Sequence, residues 1–198
     1  MFTTPLLLAT LSLLGAGTAS ETRSSKPPGG LATTDCQIRC PKTMGNGTIV
    51  LPAITHYKTK SGEWENTLEC WTTNSTTKNI PEVGNGYRLH WEGGFDAAYQ
   101  YVFFGDSFMP GHPAPAPLLA VMSAGAGDLR VPSGRCLRVK AGDLFYSVGT
   151  LGRQTAWWSN GTVVSDHYFK GGVIPDHKVV PELTLAEAQP PIPPSPYY

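Results

Sequence analysis

Residues 155–165 read Thr-Ala-Trp-Trp-Ser-Asn-Gly-Thr-Val-Val-Ser, two short apolar runs around Ser159-Asn160-Gly161. Asn-Gly between such runs is a strong hairpin signal, because both residues tolerate positive φ. Upstream, residues 135–140 alternate apolar and basic side chains, and residues 144–148 follow directly after Ala141-Gly142-Asp143. Residues 99–104 and 118–122 are more continuously apolar, as buried strands are. Residues 87–91 alternate Tyr, Leu and Trp with Arg88 and His90, the period of a half-buried strand. Residues 48–54 and 67–73 form a further pair, with Lys60-Ser61-Gly62 as the turn between them. Residues 124–127, Ala-Gly-Ala-Gly, read as a tight turn between strands: no Lys-Ser/Thr follows to make a phosphate cradle. A helical stripe is confined to residues 181–189. Short strands at regular spacing predict an all-β fold, a sandwich or barrel.

Composition agrees. The 198 residues include 22 Gly and 18 Pro, which favour turns over long helices, and only 15% are charged. Fifteen basic residues balance fifteen acidic ones. With no basic field to hold phosphates, nucleic acid is not an expected partner. No Gly-x-Ser-x-Gly stands in the chain, so triad hydrolase chemistry is disfavoured.

Residues 1–19 carry no charged side chain, and a Leu/Ala run leads into Gly15, Ala16, Gly17, Thr18 and Ala19. This reads as a secretory signal peptide cut near Ala19. The run is shorter than the ~20 residues needed to span a bilayer, so no membrane association is expected after cleavage. Sequons at Asn46, Asn74 and Asn160 predict glycosylation of a secreted, extracellular protein. Cys36, Cys40, Cys70 and Cys136 make an even set suited to two disulfides, with three possible connectivities. The short step from Cys36 to Cys40 favours each reaching a distant partner and stapling the N-terminal arm to the core. A zinc site is disfavoured, because Cys70 and Cys136 stand without a second ligand at metal spacing. The chain therefore divides into a signal peptide (1–19), a flexible leader and Cys-bearing arm (20–45), a β domain (46–180) and a Pro-rich tail (181–198).

Several residues are candidates for a site. His112, in a Pro-rich turn, can act as a general acid or base without metal. His90 and Tyr101 are candidates to face the same cavity. Trp157 and Trp158 are consecutive, so on a strand one faces inward and the other outward, as core and stacking platform. Arg153 and Gln154 precede them and are placed to orient a carbonyl or carboxylate.

His112-Pro113-Ala114-Pro115, Gly125, the Gly142-Asp143 turn and Thr150-Leu151-Gly152 stand in an order that resembles the two-part signature of the cupin superfamily. The resemblance spans about residues 99–160 and implies a double-stranded β-helix, a single jelly-roll barrel. The same tetrapeptide is similar to that of a subgroup of small cupin-like proteins. In the family, three imidazoles and one carboxylate bind metal inside the barrel. Here only His112 stands at a ligand position, while Ala114, Leu118 and Thr155 occupy the other three. Two lack a lone pair and a Thr hydroxyl is a poor ligand. No metal and no other cofactor is therefore expected.

The resemblance implies a cavity for a small, largely apolar molecule. With it comes the expectation of a metal-independent tailoring enzyme, of isomerase, cyclase, dehydratase or coupling-steering type, in a natural-product pathway. His112 would move a proton, Arg153 or Gln154 polarise a carbonyl, and Trp157 or Trp158 hold a ring. The rivals are a non-catalytic extracellular binder of a carbohydrate or host surface, and a metal-dependent oxidoreductase with altered ligands drawn from His90, His112, His167 and His177. The family's pairing through sheet edges makes a homodimer the default expectation.

Overall fold

The computed structural model describes residues 36–42, 44, 48–73, 91, 93–184 and 187, with the backbone alone of Lys78–Asn79 and Tyr87–Arg88. The readings made for the signal peptide, Asn46, Asn74, His90 and most of the tail lie outside the described residues.

Thirteen strands are described: β1 (Val50–Lys58), β2 (Trp64–Thr73), β3 (Lys78–Asn79), β4 (Tyr87–Arg88), β5 (Phe95–Val102), β6 (Ser107–His112), β7 (Leu118–Ala124), β8 (Ala126–Arg130), β9 (Cys136–Lys140), β10 (Leu144–Ser147), β11 (Gln154–Trp158), β12 (Val163–Phe169) and β13 (His177–Val180). The fold is all-β. Seven strands form one sheet in the order β13-β2-β1-β10-β7-β12-β5, four form a second in the order β6-β11-β8-β9, and β3 pairs with β4. Pairing is antiparallel except between β1 and β10. Each of the two larger sheets keeps two edge strands among those described, so both are open.

The two larger sheets bury one core between them. Ile54, Leu68, Leu118, Met122 and Phe145 come from the seven-stranded sheet, and Leu129, Leu137, Val139 and Trp158 from the four-stranded one. Alternate residues of the larger sheet, Ala53, Trp71, Leu119 and Tyr146, turn to its other face, where they join a second cluster with Phe169. That face is aromatic: Trp91 donates its indole N–H to the Tyr146 hydroxyl at 3.1 Å, and Trp71 stacks on His177 at 3.5 Å. With both faces covered, the middle of β7 is apolar at successive positions rather than at alternate ones.

The Lys60-Ser61-Gly62 turn closes the β1–β2 hairpin as expected, with Thr59 N–H bonded to Glu63 O at 2.8 Å. The Asn160-Gly161 turn does something different. Its flanking strands lie in separate sheets, β11 beside β6 and β8, and β12 beside β5 and β7. The turn is a crossing between sheets, not a hairpin. Gly125 makes a second crossing, between β7 and β8, and the two corners are bonded together. Thr162 Oγ1 bonds both the N–H and the carbonyl of Ala126, at 3.1 and 3.0 Å. Gly125 has φ +72°, and a Cβ there would overlap Thr162, so both the dihedral and the close approach require glycine.

The apolar run 99–104 was expected to be buried. It contributes instead to β5, which among the described strands is an edge with β12 beside it, and Tyr99, Tyr101, Val102 and Phe104 are exposed. Apolar content alone does not distinguish an edge from a centre. Strands β6, β8 and β13 carry weaker sequence signals. Pro110 sits on an edge strand, where a missing N–H is tolerated. Gly127 in β8 lies under the ring of Trp158, in space that a Cβ would fill. At the far end, Thr184 and Glu187 form a reciprocal capping box, the signature of a helix start, inside the stretch read as helical.

Two disulfides, Cys36–Cys136 and Cys40–Cys70, join the N-terminal arm to β9 and β2. Both cysteines of the arm reach distant partners. Between them, Ile38 N–H bonds Cys136 O at 2.9 Å, and Gln37 accepts from Arg138 N–H at 2.8 Å, so the arm covers the free edge of β9. Among the described residues no helix is long and apolar enough to cross a membrane.

Candidate functional site

A cavity of about 460 Å³ opens between the two sheets, near the edge strands β5 and β6. Its walls are mostly apolar: Leu118, Ala120 and Phe145 on one side, Leu129, Ala156 and Trp158 on the other. Trp158 stacks on Phe103 at 5.4 Å and donates its indole N–H to Met109 Sδ at 3.3 Å. Pro113 and Pro115 hold one rim in fixed backbone geometry, with Ala114 buried between them.

Alternation along β11 decides which of the neighbouring candidates face this space. Gln154, Ala156 and Trp158 point in. Trp157 faces the opposite side of the four-stranded sheet and is half-buried, so one Trp is core and its neighbour is outward, as the strand reading required. Arg153 is exposed, its side chain running beside Gly111 rather than lining the cavity. Thr155, at the position of the family's late His, also lies off the lining, whereas Ala114 and Leu118 are on it.

Polar groups enter from both walls. On the four-stranded sheet Gln154 and His112 are cross-strand partners. The Gln154 carboxamide oxygen accepts from Asn66 Nδ2, and both residues are buried. His112 Nδ1 lies 2.7 Å from Pro110 O. A carbonyl only accepts, so Nδ1 carries the hydrogen and Nε2 is left as the basic nitrogen of the neutral ring.

On the seven-stranded sheet the lining includes Tyr101, Asp166 and Tyr168. Burial pushes the Asp166 carboxyl up to about 6. Burial also raises the Tyr168 phenol, reinforced by its hydrogen bond with Tyr101 and by Tyr101, Asp166 and Tyr99 as neighbours. The sequence reading places neither Asp166 nor Tyr168 among the site residues. The available signal was the two-residue spacing of Asp166 and Tyr168, which puts them on one face of a strand.

Asn160 is exposed, its carboxamide oxygen accepting from Gly105 N–H at 2.7 Å. Of the histidines on described residues, His167 packs against Phe95 at 5.3 Å and His177 against Trp71, both off the cavity. Among the described residues no three His, Cys, Asp or Glu side chains converge as metal ligands. A scan against protein-family models returns no match to this chain, and neither does a search of curated proteins.

Proposed function

We propose that the protein is a secreted, cupin-like jelly-roll protein whose inter-sheet cavity binds a small, largely apolar molecule and acts on it by acid/base chemistry without a metal. One observation carries the reading: an apolar cavity with a few polar groups converging from two opposed walls, the usual make-up of a small-molecule site. Supporting it, His112 presents a free Nε2 on one wall while Asp166 stands on the other. Two titratable groups in contrasting environments are the ordinary equipment of an isomerase, cyclase or dehydratase. Holding a flexible substrate in reactive geometry between rigid walls lowers the barrier further. In this reading Gln154 orients a polar group of the ligand and Trp158 packs on its ring. The disulfides and the sequons fit an oxidising, extracellular compartment.

The test is binding of a neutral apolar fluorophore, 6-propionyl-2-dimethylaminonaphthalene, to the secreted full chain. Saturable, blue-shifted emission is expected, and Ala114→Phe, which fills the cavity, should abolish it while circular dichroism is unchanged. Failure of the wild type to bind would overturn the reading. Once a turned-over substrate is found, His112→Ala should remove turnover. A protein that binds the ligand yet shows no turnover to lose is the non-catalytic binder.

A further inference from the structure

Asp166 carries a cost that the fold does not offset. In register it sits between Ala120 of β7 and Tyr99 of β5, and it projects into the cavity. Burial alone accounts for the displacement of its carboxyl to about 6, with neither a cation nor a hydrogen bond acting against it. Among the described residues no Lys or Arg lines the cavity. Two residues along the same face stands Tyr168, whose phenol bonds that of Tyr101. A carboxyl and two phenols thus share one patch of an otherwise apolar wall. The Tyr168 ring packs against the core, but that packing explains neither its hydroxyl nor the Asp166 carboxyl, since Val164 on the same face serves the core without any polar atom.

We propose that Asp166, flanked by the Tyr101–Tyr168 pair, anchors the carbonyl oxygen of the cavity's ligand, and that this ligand is an uncharged, enolisable ketone. The inference rests on the small-molecule reading above and names its substrate class. A carboxylate or phosphate would meet Asp166 with no cation to hold it. A sugar would bring many hydroxyls to walls that offer few partners. A ketone presents one acceptor oxygen, with two lone pairs, to the two O–H donors left, the Asp166 carboxyl and one phenol of the bonded pair, and apolar carbon to everything else.

The chemistry balances without a co-reactant. His112 Nε2 takes a proton from the carbon beside the carbonyl, and the C–H electron pair becomes the new C=C bond. The C=O π pair moves onto oxygen, which takes the proton of the Asp166 carboxyl. Where the ketone carries a β,γ double bond the enol is a dienol, and return of the His112 proton to its γ carbon, with the enol proton going back to Asp166, yields the α,β-unsaturated isomer and restores both residues. The acid and the base lie on opposite sheets, so they can address opposite ends of one ligand.

The same naphthyl ketone tests this, titrated onto the full chain between pH 5 and 8. The titratable groups facing Asp166 are Tyr99 and Tyr101 on β5, Tyr168 on its own strand and His112 on β6; β7 and β10 contribute none to this part of the cavity. The dissociation constant should rise about fivefold as Asp166 ionises and stops donating. Asp166→Asn, an amide that donates at every pH, should bind without the pH step. His112→Gln should keep the step, and Tyr168→Phe should weaken binding throughout. Binding that is flat with pH in the wild type would overturn the anchor while leaving the cavity as a ligand site. Binding of a cationic amine analogue that tightens as pH rises, with none of the ketone, would replace the ketone by an amine. No binding of either dye would remove the underlying reading as well. Should Asp166→Asn fail to fold, the wild-type and His112→Gln titrations decide the matter.

Discussion

Asn66 on β2 donates its side-chain N–H to the side-chain oxygen of Gln154 on β11, a buried hydrogen bond that ties one sheet to the other. Asn66 is 1% exposed and Gln154 4%. The same Asn66 amide also reaches Gly149 O at 3.3 Å, so it gathers the segment leading into β11. Gln154 in turn lines the cavity and pairs in register with His112. The cavity wall is therefore positioned by a bond formed outside it.

Replacing Asn66 by Ala leaves the Gln154 carboxamide oxygen buried and unpaired. Such a group costs on the order of 1–3 kcal/mol. Urea unfolding of Asn66→Ala should show a loss of that size, together with weaker dye binding. An unchanged midpoint would mean that the bond contributes nothing to stability.

Gly152 and Gly111 make a matched pair of substitutions. A Cβ at Gly152 would overlap the backbone of Asn66 and Glu65, which cannot swing aside, whereas one at Gly111 meets only Arg153 side-chain carbons at 3.8 and 3.9 Å. Gly152→Ala should therefore cost on the order of 1–3 kcal/mol. Gly111→Ala should fall within about 0.5 kcal/mol of wild type. Thermal melting of the two variants side by side checks the contrast.

The Cys36–Cys136 disulfide closes a sequence separation of 100 residues and Cys40–Cys70 one of 30. In the chain-entropy account the longer loop is worth more, up to about 4.7 kcal/mol. The Cys36→Ser/Cys136→Ser variant should melt lower than Cys40→Ser/Cys70→Ser. It should also free the edge of β9, which hydrogen exchange of the Arg138 amide will report.

Asp166 sets a direction for the pH dependence of stability. Burial raises its folded pKa to about 6, above the ordinary 3.8 of an exposed aspartate, so the native state holds the proton more tightly between those values. Stability should be highest below pH 4 as far as this group is concerned, fall as pH rises toward 6, and level off above. The full shift corresponds to at most ~3 kcal/mol. Asp166→Asn should remove the slope, and unfolding curves at pH 4, 5, 6 and 7 measure it.

Incubation with a chelator should leave both melting temperature and dye binding unchanged. Among the described residues no metal-type cluster of side chains would be disrupted. A drop on chelation, restored by one divalent ion, would point to the metal-dependent rival instead.

The features legible in the sequence are local in origin. Alternation and turn residues along 135–165 were enough for an all-β chain, because a strand's period of two and a turn's need for Gly or Asn are properties of neighbouring residues. Alternation also put Trp157 and Trp158 on opposite faces, and the short Cys36–Cys40 step favoured a distant partner for each cysteine, which the two disulfides bear out. Which element lies beside which depends on contacts between residues far apart in the chain. The Asn160-Gly161 turn has the residues of a hairpin, yet the chain crosses sheets there, because β11 finds its neighbours in β6 and β8 rather than in β12. The apolar run in β5 lies at an edge for the same reason. Asp166 shows the limit most clearly. Its chemistry comes from desolvation by strands far away in the chain, and burial is a property of the packed assembly that no window of sequence around residue 166 contains.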